Sequence, residues 1–151
     1  MVAGDDLGRF VTAQEPVYAQ VLAELRRGRK TSHWMWFIFP QIAGLGQSPM
    51  SERFAIQSIE EARAYLAHPL LGPQLRECAG LVLAVKDRTA EEVFGPIDAK
   101  KLRSCMTLFH RAAPAEPLFR QVLDAWFGGT PDPMTDALVA DIGFAPPENL
   151  T

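Results

Sequence analysis

The stretch Ser32-His33-Trp34-Met35-Trp36-Phe37-Ile38-Phe39-Pro40-Gln41 decides how the rest of the chain must be read. Trp34, Trp36 and Ile38 alternate with Met35, Phe37 and Phe39, so a strand here would be apolar on both faces. A helix would be apolar all round, and period alone does not separate the two. No other segment shows a period-two run able to pair with it, and Pro40 closes the block early. With Ser32 placed as a cap, the stretch is expected to be a short buried helix. That choice makes the chain all-α.

Working outward, helix-start chemistry recurs along the sequence. Thr12-x-x-Glu15, Ser58-x-x-Glu61 and Thr89-x-x-Glu92 have the capping-box form, in which two orphan amide donors are satisfied reciprocally. Helical spacing predicts a helix over 13–27 with the stripe Tyr18, Leu22 and Leu25, stopped by Gly28. It predicts another over 59–67 (Ile59, Ala62, Tyr65, Leu66) and a third over 74–86 (Leu75, Ala79, Val82, Leu83). After a short turn at 90–94, Gly95-Pro96 breaks the chain ahead of a helix from Ile97, with Leu102, Cys105, Met106 and Phe109 on its apolar face. Pro117 opens a helix that ends at Gly128-Gly129, and a last one over 134–141 stops at Gly143. The expected architecture is one compact domain over residues 1–151, with about seven to nine short helices. Residues 1–5 and 146–151 are expected to be loose tails.

Composition narrows the class. At 151 residues the chain can bury about 70% of its unfolded surface without disulfide or metal staples. An apolar fraction of 48% against 22% charged excludes global disorder. The net charge of −3 argues against a nucleic-acid binder, which needs a basic face to displace counterions. Cys78 and Cys105 fall in apolar helical stretches with no metal or redox spacing, and read as buried reduced thiols. The acidic start, Met1 to Asp6, does not resemble a signal peptide, and the run from Trp34 to Phe39 is far short of the roughly 20 residues a membrane helix needs. The expectation is a soluble cytoplasmic protein with no membrane partner.

Three blocks carry a resemblance. They are Gly28-Arg29-Lys30 running into Ser32 to Gln41 with Gly44-Leu45-Gly46 and Ser48; Glu61 to Leu66 with His68-Pro69 and Leu71-Gly72; and Phe94-Gly95 with Asp98, Lys101-Leu102, Ser104 and Met106 to Phe109. Together, covering roughly residues 10 to 128, they resemble the signature of a bacterial family of small helical proteins, domain of unknown function eighteen-ten. The resemblance implies a mainly α-helical fold with some similarity to armadillo-like stacks, and implies no activity. Some relatives carry a calpastatin label, which the globular composition here does not fit.

Candidate chemistry gathers in two of these blocks. His33 titrates near neutrality and could serve as a base or a ligand donor. Trp34 or Trp36 could stack a ring, although two residues apart on a helix they face different ways, so at most one lines a pocket. The loop Gly44-Leu45-Gly46-Gln47-Ser48 joins glycine flexibility to unpaired N–H groups at a helix start, a recipe for holding phosphate or carboxylate. It matches neither a dinucleotide fingerprint nor a P-loop. Asp98, Lys101, Ser104 and Thr107 form a polar series at i,i+3 steps, and Arg26, Arg27, Arg29 and Lys30 a basic cluster. No HExxH, GxSxG or metal-spaced Cys/His set is present, so no metal or cofactor is expected.

Three functional readings follow. In the first, a small anionic ligand, nucleotide-like in one version, is held by His33, Trp34, Gln41, Gly44, Gly46 and Ser48, with Lys101 and Ser104 completing the pocket. In the second, an enzyme moves protons with His33 and Asp98 while Lys101 steadies a developing anion. The third is a protein-interaction scaffold whose motif residues are core. The first two require the stretches near 33–48 and 98–107 to meet around an opening.

Overall fold

Helix boundaries in the computed structural model, which describes residues 7–142, follow local start and stop chemistry. The expected tails and the stop at Gly143 lie outside the described residues. Ten helices occur among those described: α1 Gly8–Gln14, α2 Tyr18–Arg27, α3 Met35–Ile38, α4 Pro49–Arg53, α5 Ile59–Ala67, α6 Leu71–Ala84, α7 Ala90–Phe94, α8 Pro96–Ala112, α9 Pro117–Phe127 and α10 Pro133–Ile142. The chain is all-α, and the aromatic block forms the short buried helix α3. The count exceeds the expected seven to nine because short turns close into helices of their own.

Several boundaries differ from expectation, each for a local reason. The expected helix over 13–27 is two helices, and Thr12 lies inside α1 instead of capping its successor. Pro16 is the cause: inside a helix it removes one N–H donor and clashes with the carbonyl four residues back. Ser32 does not cap α3. Trp34 takes the N-cap position without a side-chain cap, and the Ser32 hydroxyl donates to Glu24 instead. At α6 the first turn reaches back to Leu71, with His68 Nδ1 accepting the Leu70 and Leu71 N–H groups at 3.1 and 3.2 Å. Pro73 falls in that first turn, where a missing N–H costs nothing. The Thr89/Glu92 capping box is complete. Ser58 accepts the Glu61 N–H, but the Glu61 carboxylate turns to the Gln57 N–H instead.

Helix α8 is the axis. It packs against α5, α7, α9 and α10, while α6 packs against α2, α5 and α9. Leu102, Cys105, Met106 and Phe109 of α8 are fully buried. A ladder of rings joins four helices, from Phe10 to Tyr65 (5.2 Å), to Phe109 (5.4 Å) and to Phe119 (5.9 Å). Such pairs add about 0.5–1.5 kcal/mol each beyond the area they bury. On either side of α4 the chain leaves helix, and an isolated parallel bridge pairs Ile42 with Ile56. Its two hydrogen bonds, Ala43 N–H to Ile56 and Ile56 N–H to Gln41, both 2.8 Å, pinch residues 41–56 into a closed loop beside α8. No helix among the described residues is long and apolar enough to cross a membrane.

Candidate functional site

The pinched loop is held compact by its own side chains. Ser48 caps α4 by accepting the Ser51 N–H at 3.1 Å, and the two hydroxyls lie 2.9 Å apart. Gly46 sits so near Ser51 that a methyl group there would collide with that side chain. Gly44 has φ +103°, a region costly for side chains, and a Cβ would press on Leu138 of α10 at 3.1 Å. Both glycines therefore have a packing reason as well as a place in the loop.

Two clefts open on either side of this loop. The first, of about 260 Å³, is lined by Trp36, Gln41, Gly44, Gly46, Ser51 and Phe54 among others. The second, of about 280 Å³, lies between the loop and α8, where Gln41, Gly46 and Ser51 face Lys100, Lys101 and Ser104. Stretches some sixty residues apart thus share one opening. A larger hollow of about 520 Å³ lies between the 85–91 loop and Trp126. Its charged lining, Lys86 and Arg88 against Asp87 and Glu91, balances in sign.

Charge at the loop–α8 opening leans positive. Lys101 Nζ lies 5.0 Å above the Trp36 ring and 3.5 Å from Asp98 Oδ1. Asp98 Oδ2 is 2.8 Å from Lys30 Nζ, itself 5.0 Å above the Trp34 ring. One carboxylate thus serves two ammonium groups, and Lys100 adds a third with no acidic partner among the described residues. The opposing charge in the second cleft is Asp132, but its Oδ2 is occupied by the Thr135 N–H (3.0 Å), the Thr135 hydroxyl (2.5 Å) and the Ser104 hydroxyl (3.2 Å). Ser104 also reaches the Lys100 carbonyl, so its hydroxyl already has protein partners.

The sequence-derived candidates separate accordingly. Gln41, Gly44, Gly46, Lys101 and Ser104 line one or both clefts. Ser48 is exposed and serves as the α4 cap. His33 is exposed and lines neither cleft, and no hydrogen bond joins it to Asp98 among the described residues. Trp34 is 1% exposed, its indole N–H donating to Glu24 Oε1 at 3.0 Å, so the core holds it and Trp36 is the ring at the cleft. Among the described residues no three His, Cys, Asp or Glu side chains gather as metal ligands.

Sequence reasoning passed over two kinds of contributor, three residues in all. Lys100 and Ser51 complete the second cleft, and their only signal was adjacency to Lys101 and Ser48. Glu24 is the other: a fully buried carboxylate that receives the Thr31 and Ser32 N–H groups (2.7 and 3.1 Å), the Ser32 hydroxyl, Gln20 (2.8 Å) and Trp34. Burial works against its charge, yet the hydrogen bonds from Ser32, Gln20 and the loop backbone outweigh that and hold it at about 2. By gripping residues 31–34 it fixes where Lys30 and α3 lie. Its place on the same helical face as Val21 and Leu25 was the available signal.

The fold and site together define an all-α protein that sets a glycine-bearing loop against a lysine-bearing helix. The chain belongs to the family DUF1810, proteins of unknown function, whose model matches residues 4–139. It is similar to the conserved hypothetical protein Rv1873 from Mycobacterium tuberculosis, known from a crystal structure. Identity is 57%, the match covers 89% of this chain and 96% of that one, and the TM-score is 0.88. No curated protein matches the chain.

Proposed function

We propose that this protein binds a small anionic ligand in the opening between the 41–51 loop and α8. The observation that carries the reading is the convergence of Gln41, Gly46 and Ser51 with Lys100 and Lys101 around open space. Lys101 and Lys100 supply charge, and Gln41 and Ser51 supply oriented dipoles. The N–H groups of Gly44, Leu45 and Gly46 donate to no acceptor among the described residues, which leaves them for an anion. Trp36, half-buried with Lys101 over its face, offers a ring to stack against. At about 260 and 280 Å³, each cleft falls just under the roughly 300–1,000 Å³ typical of drug-sized ligands. A phosphate or carboxylate on a small body fits one cleft, whereas a nucleotide would span both across the Gln41–Gly46 wall.

A thermal-shift screen against phosphorylated and carboxylated metabolites and nucleotides tests this. A true ligand at 100 times its Kd stabilises the fold by about 2.7 kcal/mol. Lys101→Ala should weaken that ligand about tenfold or more, through loss of a charge-assisted contact, with little change in the unliganded Tm. Trp36→Ala should cost less stability than the roughly 3–5 kcal/mol of a core tryptophan while also weakening the ligand. An absence of any stabilising anion would overturn the reading.

A further inference from the structure

Resting on that anion-binding reading, we infer that the ligand of the second cleft is amphipathic: a phosphate or carboxylate head carrying a short apolar chain. Among the described residues three large apolar side chains stand well exposed, Leu70 at 41%, Ile97 at 71% and Met134 at 58%. Two of the three, Ile97 and Met134, line the same cleft as Lys100 and Lys101. Scattered exposed apolar residues are ordinary on a protein surface, but a pair flanking one cationic opening is a patch with a use.

The two sides come from separate elements. Ile97 and both lysines stand on the first two turns of α8, and Met134 on the first turn of α10. Leu45 of the glycine loop adds a partly buried apolar wall between them. Arg103 fixes their spacing by donating to the Thr130 and Pro131 carbonyls, both at 2.9 Å, which ties the start of α10 to α8. The Asp132 carboxylate at the cleft edge accepts from Thr135 and Ser104 and forms no ion pair with either lysine, so among the described residues Lys100 has no acidic partner. The arrangement is cationic at the α8 turn and apolar at the rim. That matches an anionic head with its chain lying across Ile97 and Met134, and leaves a purely polar anion with an unmatched apolar rim.

The test is a calorimetric titration of the full chain with inorganic phosphate, ethyl phosphate and hexyl phosphate, all below micellar concentration. Affinity should rise along the series, by up to about fourfold for each methylene buried. An Ile97→Ser/Met134→Ser double variant should flatten the series, bringing ethyl and hexyl phosphate down towards the affinity of inorganic phosphate. Lys100→Ala/Lys101→Ala should weaken every member. Both Ile97 and Met134 are exposed, and an Ile97→Leu variant that keeps the chain-length dependence guards against a general folding defect.

Equal affinity for phosphate and hexyl phosphate would overturn this inference and leave anion binding standing. Failure of every member of the series to bind would overturn this inference, and together with the absence of any stabilising anion in the thermal-shift screen would overturn both. Sedimentation of the protein with phosphatidylglycerol vesicles, without a chain-length effect in solution, would also overturn it by assigning the face to a membrane surface.

Discussion

Glu24 shows how one residue can govern a site it does not touch. Fully buried, it stays ionised because five donors converge on it, two of them the N–H groups that turn the chain from α2 toward α3. Hydrogen bonds to the charged form favour it over the neutral acid. The folded carboxyl at about 2 lies below its ordinary 4.5, so the linked stability is fully present above pH 4.5 and drains as pH falls toward 2. That displacement corresponds to on the order of 3 kcal/mol. Urea unfolding of the wild type from pH 6 to pH 2 should therefore lose about that much more stability than Glu24→Gln, which has no proton to take up. Parallel curves for the two proteins would mean that the carboxylate is not held ionised by the fold. At neutral pH the same variant should be less stable than the wild type, since an amide presents its own donors to donors already in place.

At the scale of helices, packing decides what propensity leaves open, and two glycines of α6 separate the effects. Gly72 lies against the end of α5, where an added Cβ would run into the Leu66 carbonyl. That carbonyl is also the acceptor for Arg76 Nη1 at 3.1 Å, and Arg76 is paired with Glu116 ahead of α9. Gly72→Ala must push α5 and α6 apart and should cost about 1–3 kcal/mol. Gly80, in the same helix, has nothing within 4 Å of a Cβ position. Gly80→Ala should gain roughly 0.5–1 kcal/mol from helix propensity alone. Chemical denaturation of both variants checks the pair, and the same sign for both would refute the packing argument. The sequence announced α5 and α7 through Ser58 and Thr89, because a cap is a local interaction written within four residues. It misled at Thr12, whose capping form is outweighed by Pro16 a turn later. Trp34 and Trp36 were harder still: which ring is buried depends on how α3 is rotated, and Glu24 sets that from another helix.

Across the whole molecule, the convergence of the glycine loop with α8 could be posed from the sequence but not settled there. Lys101 and Gly46 are brought together by the Ile42–Ile56 bridge and by the packing of α10 on α8, contacts that no local pattern encodes. The all-α character and the buried thiols, by contrast, rest on composition and helical period and were readable. The thiols also report on how cooperatively the assembly holds. Cys78 on α6 is 1% exposed and Cys105 on α8 is 0% exposed, and both belong to one contiguous cluster of buried side chains. Burial pushes the Cys78 thiol up to about 12, and burial raises Cys105 as well. With only the thiolate reactive, roughly one Cys78 in ten thousand is nucleophilic at pH 8 before access is considered. Neither cysteine should label with an aromatic disulfide reagent on the timescale that suffices for the unfolded chain. Under rising urea both should label together, at a rate set by global opening, because α6 and α8 are both packed against α5 and α9 and share them as partners. Labelling of Cys78 well ahead of Cys105 would show instead that α2 and α6 open as a unit, leaving α8 and the lysine-bearing face of the cleft folded.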